Sequence, residues 1–246
     1  MKKLSIAIGF IISLTLSAFS ICAQTPSRED LLRQIKAKRT ELNALEATFL
    51  SPSEEDRNSY AEFLRTADTG LIRLLPRETY DDNAQKDRQT IVTRGGGAYY
   101  SFTRLTHEYG YGSDIELAQD YLSSGFAGAD YGLLTNLGDV PLESVSLETP
   151  AAAIFAAYNP PTEEPKVRVE QRRFGMGADL QGISVSRRVP LKLNSTYLLR
   201  SICIDETDVI VAFRVVRIDS DRSAILLWKV LKKNPKPTMA RAPRNW

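Results

Sequence analysis

The chain is 246 residues long, with 32 basic side chains, 30 acidic ones and a single histidine. Lys2 and Lys3 account for the whole positive excess, so beyond residue 23 the charges balance and no bulk field steers the protein to nucleic acid or to an anionic surface. One histidine and two cysteines, Cys22 and Cys203, leave a zinc site short of its usual ligands.

The first 25 residues, MKKLSIAIGFIISLTLSAFSICAQT, read as a secretory signal: a positive start, an apolar core from Leu4 to Ile21, and small Ala23 before the cleavage point. An uncleaved anchor is the main alternative, because the core approaches the ~18–20 residues that span a bilayer. A lipid anchor on Cys22 is a further one, since Phe19-Ser20-Ile21-Cys22 loosely resembles a bacterial lipobox. The expected location is therefore periplasmic or secreted. Membrane contact is expected only through an uncleaved signal or a lipid. Once Cys22 leaves with the signal, Cys203 has no disulfide partner and stability must come from packing. Its apolar run marks it as a buried, inert thiol.

Residues 24–70 are expected to form a helical N-terminal segment. Ser27 caps the first helix, with Glu29 and Asp30 in its first turn. Leu31, Ile35, Leu42, Leu45 and Phe49 recur at spacings of three, four and seven, interrupted by Lys38. The stripe predicts a helix packed on its own domain or, alternatively, a dimer through residues 27–49. Pro52 ends this helix. Ser53 opens a second, which turns Tyr60, Phe63 and Leu64 inward and is closed by Asp68-Thr69-Gly70.

Residues 71–232 read as an antiparallel sheet domain. Leu71–Leu75 is a strand candidate, and 78–88 a polar loop. Thr90–Thr93 and Ala98–Thr106 are expected as strands around Gly95-Gly96-Gly97. Ser144–Leu147 is a weaker strand. Thr149-Pro150 opens one short helix, apolar on most sides and so expected to be buried. Lys166–Phe174 and Ile183–Val189 alternate like half-exposed strands. Tyr197–Ile204, Asp208–Ile218 and Ala224–Leu231 are apolar on both faces in their middles, as in strands covered on both sides. The end, 233–246, is basic and proline-rich and is expected to be disordered.

The acidic turns between the last three strands predict a register. A turn symmetric about Glu206-Thr207 sets Ile204 opposite Val209, Ile202 opposite Val211 and Arg200 opposite Phe213. A second, symmetric about Ser220-Asp221, sets Ile218 opposite Ser223, Val216 opposite Ile225 and Phe213 opposite Trp228. A loop of three or five residues at either turn would send these side chains to opposite faces.

The stretch from Arg94 to Gly132 departs furthest from average composition, with 8 of the 14 glycines, 6 of the 10 tyrosines and the only histidine. Its glycine triplet lacks the Gly-Lys-Ser/Thr of a phosphate loop, and strand formers follow it, so a structural turn is expected. His107-Glu108 lacks the second histidine of a zinc-protease helix. A Ser–His–acid site would use His107 as base with Asp114 or Asp130 orienting it, but no G-x-S-x-G elbow supplies a serine. Asp205/Asp208 and Asp219/Asp221 lie in turns at opposite ends of a meander, where neither pair supplies enough oxygens for calcium. No cofactor or metal is therefore expected. Arg94, Tyr99, Tyr100, Arg104, Tyr109 and Tyr111 remain as ligand-binding candidates, because rings beside adaptable backbone stack on sugars or contact proteins.

These readings combine into an α+β protein: an N-terminal helical pair, then a mostly antiparallel sheet domain with one short buried helix. The expected role is an exported, non-catalytic module that binds a protein, glycan or envelope partner through a Tyr/Gly-rich surface, and no nucleic acid. The alternative is a hydrolase centred on His107.

Overall fold

A computed structural model describes residues 26–78, 97–110, 112–126 and 128–240. The fold is α+β with a mostly antiparallel sheet domain, as the periodicities indicate. The expected signal, the strand at Thr90–Thr93, Arg94 and Tyr111 lie outside the described residues. Among the described residues, no helix is long and apolar enough to cross a membrane.

The chain divides into two units, one running to Leu42 and the other starting at Asn43. The division falls inside helix α1 (Arg28–Phe49). Ser27 caps α1 as expected: its Oγ accepts from Asp30 N at 3.1 Å, and its own N–H donates to the Asp30 carboxylate. No residue of α1 is buried.

In the second unit, Ser53 caps helix α2 (Glu54–Ser59) through a reciprocal capping box with Asp56. Tyr60, Phe63 and Leu64 follow it and pack on the core, as their spacing implies. Gly70 does not close a helix. It lies in strand β1 (Thr69–Leu74), opposite Trp228. A Cβ at Gly70 would come within 2.4 Å of the indole, so only glycine admits this ring.

Two sheets form the body. The larger contains β1, β5 (Tyr131–Gly138), β9 (Thr196–Cys203), β10 (Thr207–Ile218) and β11 (Ala224–Asn234), in the order β1-β11-β10-β9-β5. The smaller contains β2 (Tyr99–Tyr100), β3 (Ile115–Ala118), β4 (Tyr121–Ser123) and β8 (Arg188–Pro190). The hairpin β6 (Ala178–Leu180)–β7 (Ile183–Val185) stands beside them. One core, with Leu117, Leu122, Leu199, Val211, Phe213 and Trp228, contains buried residues of both sheets. The other, with Leu198, Ile202, Ile210 and Ala212, packs the larger sheet on α3 (Pro150–Ala157) and α4 (Glu164–Met176). Every residue of β9 is buried, the expectation for a strand covered on both faces.

The three-strand register is half corrected. A three-residue loop, Ile204-Asp205-Glu206, joins β9 to β10, with Asp205 at φ 65°. Cys203 therefore pairs with Thr207, Arg200 with Ile210, and Tyr197 with Phe213. Arg200 turns to the helix-side face, away from Phe213. The β10–β11 loop also differs, with Ile218 opposite Ala224. A bulge between Val215 and Arg217 then restores the expected pair, Phe213 with Trp228. The row across the sheet reads Gly70, Trp228, Phe213, Tyr197.

Several local readings change. Lys166–Phe174 is helix, not strand: Val167 and Phe174, seven residues apart, are its buried positions, and Val169 is exposed. Its signals were Pro165 in the first turn and Gly177 just past the end, at φ 87°. The sheet domain thus carries a second helix beside α3. Thr149 occupies the cap position of α3, yet its hydroxyl accepts from Ser146 N. This helix buries one side only, through Ala151, Ala152 and Phe155. Ser144–Leu147 forms no strand, and of Ala98–Thr106 only Tyr99–Tyr100 does. Residues 233–240, expected to be disordered, are ordered. There β11 runs to Asn234, Pro237 O accepts from Asp205 N at 2.8 Å, and Ala240 N donates to Thr162 O at 2.8 Å.

Candidate functional site: a cavity over the Tyr/Gly-rich segment

Strand β2 places Tyr99 and Tyr100 in the protein interior, each only 6% exposed. Tyr100 meets Phe102, His107 and Trp228 with ring centroids 5.4, 4.9 and 6.4 Å apart. Burial pushes both phenols well above their ordinary range. These two tyrosines are therefore core residues, not a shallow aromatic face. The reason is strand composition: consecutive aromatics are normal where both faces of a sheet are covered.

His107 and Asp114 are not brought into a catalytic pair. His107 Nε2 lies 2.8 Å from Arg73 O, a backbone carbonyl, and burial lowers its pKa. Asp114 Oδ2 instead accepts from Phe102 N at 2.7 Å and from Ser101 Oγ at 3.4 Å. Asp130 Oδ1 accepts from Ile204 N at 3.0 Å, which ties it to the β9–β10 loop. Asp114 Oδ1 and Asp130 Oδ2 are buried without a hydrogen-bond partner among the described residues. Burial pushes Asp114 up to about 6 and Asp130 up to about 7, against the opposing pull of the hydroxyl and N–H donors around them. Burial also raises the Cys203 thiol, so its nucleophilic form is disfavoured.

The remaining candidates meet at a cavity of about 470 Å³. Arg104, Tyr109 and Phe126 line it together with Glu108, Gly112 and Glu206. Tyr109 lies 4.7 Å from the buried Tyr99 ring and 6.2 Å from Phe126, between centroids, so the core holds it in place. Arg104 Nη2 donates to Glu206 on the β9–β10 loop. Its guanidinium crosses Gly112, where a Cβ would sit 3.1 Å from Arg104 Cζ and where φ is +88°. Glycine at 112 therefore lets the arginine lie flat along the wall.

Of the sequence candidates, Arg104 and Tyr109 reach this cavity, while Tyr99 supports it from beneath. Phe126, Glu108 and Glu206 were missed. Phe126 and Glu108 lie inside the Tyr/Gly-rich stretch, where the tyrosines dominate the composition. Glu206 comes from a turn 102 residues after Arg104, and no local pattern joins them. A concave mixture of rings, opposite charges and hydroxyls can stack on a ligand and hydrogen-bond its edge. Among the described residues, no group of three histidine, cysteine or acidic side chains is placed to hold a metal ion. Comparison with protein-family models, curated proteins and solved structures finds no match.

Proposed function

We propose that this chain is an exported, non-catalytic binding module that takes a glycan of the cell envelope in the cavity over Tyr109 and Phe126. The observation that carries the reading is the wall itself. Two rings lie beside Arg104, Glu108 and Glu206 in a concavity built almost wholly from the Tyr/Gly-rich segment. A sugar offers an apolar ring face to aromatics and hydroxyls to charged side chains, and this wall supplies both kinds of contact. The engagement of His107 by a carbonyl, and of Asp114 by a backbone N–H, supports the non-catalytic reading over the hydrolase. The positive start and apolar core of the first 23 residues support export.

Titration with chitotetraose, a neutral oligosaccharide, tests the cavity. Saturable binding that falls at least tenfold in Tyr109→Ala, with the unfolding midpoint retained, is the expected result. Wild-type protein that binds no oligosaccharide, or a variant that binds equally well, overturns the glycan reading.

A further inference from the structure

A second concavity of about 490 Å³ shares Phe126 and Gly128 with the first. Its wall includes Gln171, Arg172, Gly175 and Met176 from α4, and Arg187 from the link between β7 and β8. Among the described residues, no acidic side chain lines it.

Nearby arginines are engaged. Arg168 reaches Glu164 at 3.3 Å, Arg173 reaches Glu170 at 3.3 Å, and Arg188 lies 4.1 Å over the Tyr121 ring. Arg172 and Arg187 differ. Both are exposed, and neither guanidinium has an ion pair, hydrogen bond or ring partner among the described residues.

Two unneutralised guanidiniums on one concave wall favour an anion, and their planar forks suit the paired oxygens of a carboxylate or phosphate. The negative end of the α4 dipole offers an alternative reason for an arginine here. However, the Phe174 carbonyl at that end already accepts from Gly177 N at 3.3 Å and Arg187 N at 2.8 Å, so it does not require a guanidinium. Gly125, Gly128 and Gly175 add no side chains of their own to this wall, which lets a ligand approach the backbone at those three positions. Met176 is 83% exposed at the same wall, an unusual position for a large apolar side chain and a soft contact for a ligand.

We infer that this second concavity is an anion subsite, in which Arg172 and Arg187 hold a carboxylate or phosphate carried by the ligand. The inference deepens the proposed glycan site: a sugar stacked over Tyr109 and Phe126 would extend past Phe126 and present its anionic substituent to the two arginines.

Three probes test it on the mature chain: tetragalacturonate, chitotetraose and inorganic phosphate. Tetragalacturonate should bind more tightly than chitotetraose, and its affinity should fall with added salt. The double variant Arg172→Gln/Arg187→Gln should bind tetragalacturonate at least tenfold more weakly and lose most of that salt dependence, with chitotetraose affinity and the unfolding midpoint unchanged. Displacement of tetragalacturonate by phosphate would extend the subsite to phosphate-bearing ligands and also supports it. Saturable phosphate binding lost in the double variant, with no tetragalacturonate binding, would support the subsite and assign it to phosphate. A double variant that binds like wild type, or a wild type that binds neither anion, overturns the inference. The Tyr109→Ala variant separates the two readings. If it binds tetragalacturonate undiminished while the double variant does not, the stacking site fails and the anion subsite stands.

Discussion

Arg200 and Asp208 form a two-pronged ion pair across the β9–β10 hairpin, Nε to Oδ1 at 2.9 Å and Nη2 to Oδ2 at 2.6 Å. Their side chains are 4% and 1% exposed. Arg200 Nη1 also donates to the carbonyls of Phe155 and Tyr158, both 2.5 Å away, at the end of α3. The pair thus fastens that helix to the sheet, and it exists only because the three-residue loop turned Arg200 to the helix-side face. Removing one member strands a buried charge. Asp208→Asn or Arg200→Met should each cost about 3–5 kcal/mol, read from chemical denaturation. A loss below ~1 kcal/mol would mean that water or rearrangement replaces the lost partner.

The two buried aspartates set a pH dependence. Each has its folded pKa raised above the ordinary carboxylate value of 3.8 by burial, to about 6 for Asp114 and about 7 for Asp130. The folded protein therefore holds protons that the unfolded chain has already released. Their contribution is fully present below pH ~4 and is lost as pH rises through about 6 to 7. Urea midpoints should fall between pH 5 and pH 8, and Asp130→Asn should flatten that decline. A profile unchanged by the substitution would show that Asp130 titrates normally.

The tyrosines divide into core and wall. Tyr100→Ala should cost about 3–5 kcal/mol, as large-to-small changes do in a packed interior. Tyr109→Ala, half-buried at the cavity, should cost less than half as much while weakening ligand capture. Equal losses for both would place Tyr109 in the core and remove it from the site.

Export predicts a processed terminus. Terminal sequencing of the protein from its own host should begin near Gln24. A chain that keeps Met1 and remains in the cytoplasm would refute the signal reading.

Helix α1 keeps Leu31, Ile35, Leu42 and Leu45 exposed at 43%, 49%, 51% and 63%. Their alternating heptad spacing suits pairing with the same helix of a second copy. Sedimentation equilibrium should show concentration-dependent dimers, which Leu42→Glu converts to monomer. A wild type that stays monomeric at high micromolar concentration removes the pairing.

What the sequence determined by itself was whatever depends on near neighbours. Ser27 and Ser53 announced their caps, because a capping hydroxyl bonds to an N–H three residues on. β9, β10 and β11 were legible because an apolar run can be buried on both faces only inside a layered sheet. The cavity's stretch was legible as composition, and Arg104 and Tyr109 within it. Only the tertiary structure decided the rest. One residue more or less in a hairpin loop flips every side chain of the strand, so the Cys203–Thr207 closure moved Arg200 from an expected place beside Phe213 to Asp208. The bulge at Val216 cancelled the same kind of shift and kept Phe213 beside Trp228. Which tyrosines would be core and which would line a wall depended on the sheets that covered them. The link from Arg104 to Glu206 spans 102 positions, and the glycine under Trp228 took its meaning from a strand more than 150 residues away. Chain folding, not local propensity, made those contacts.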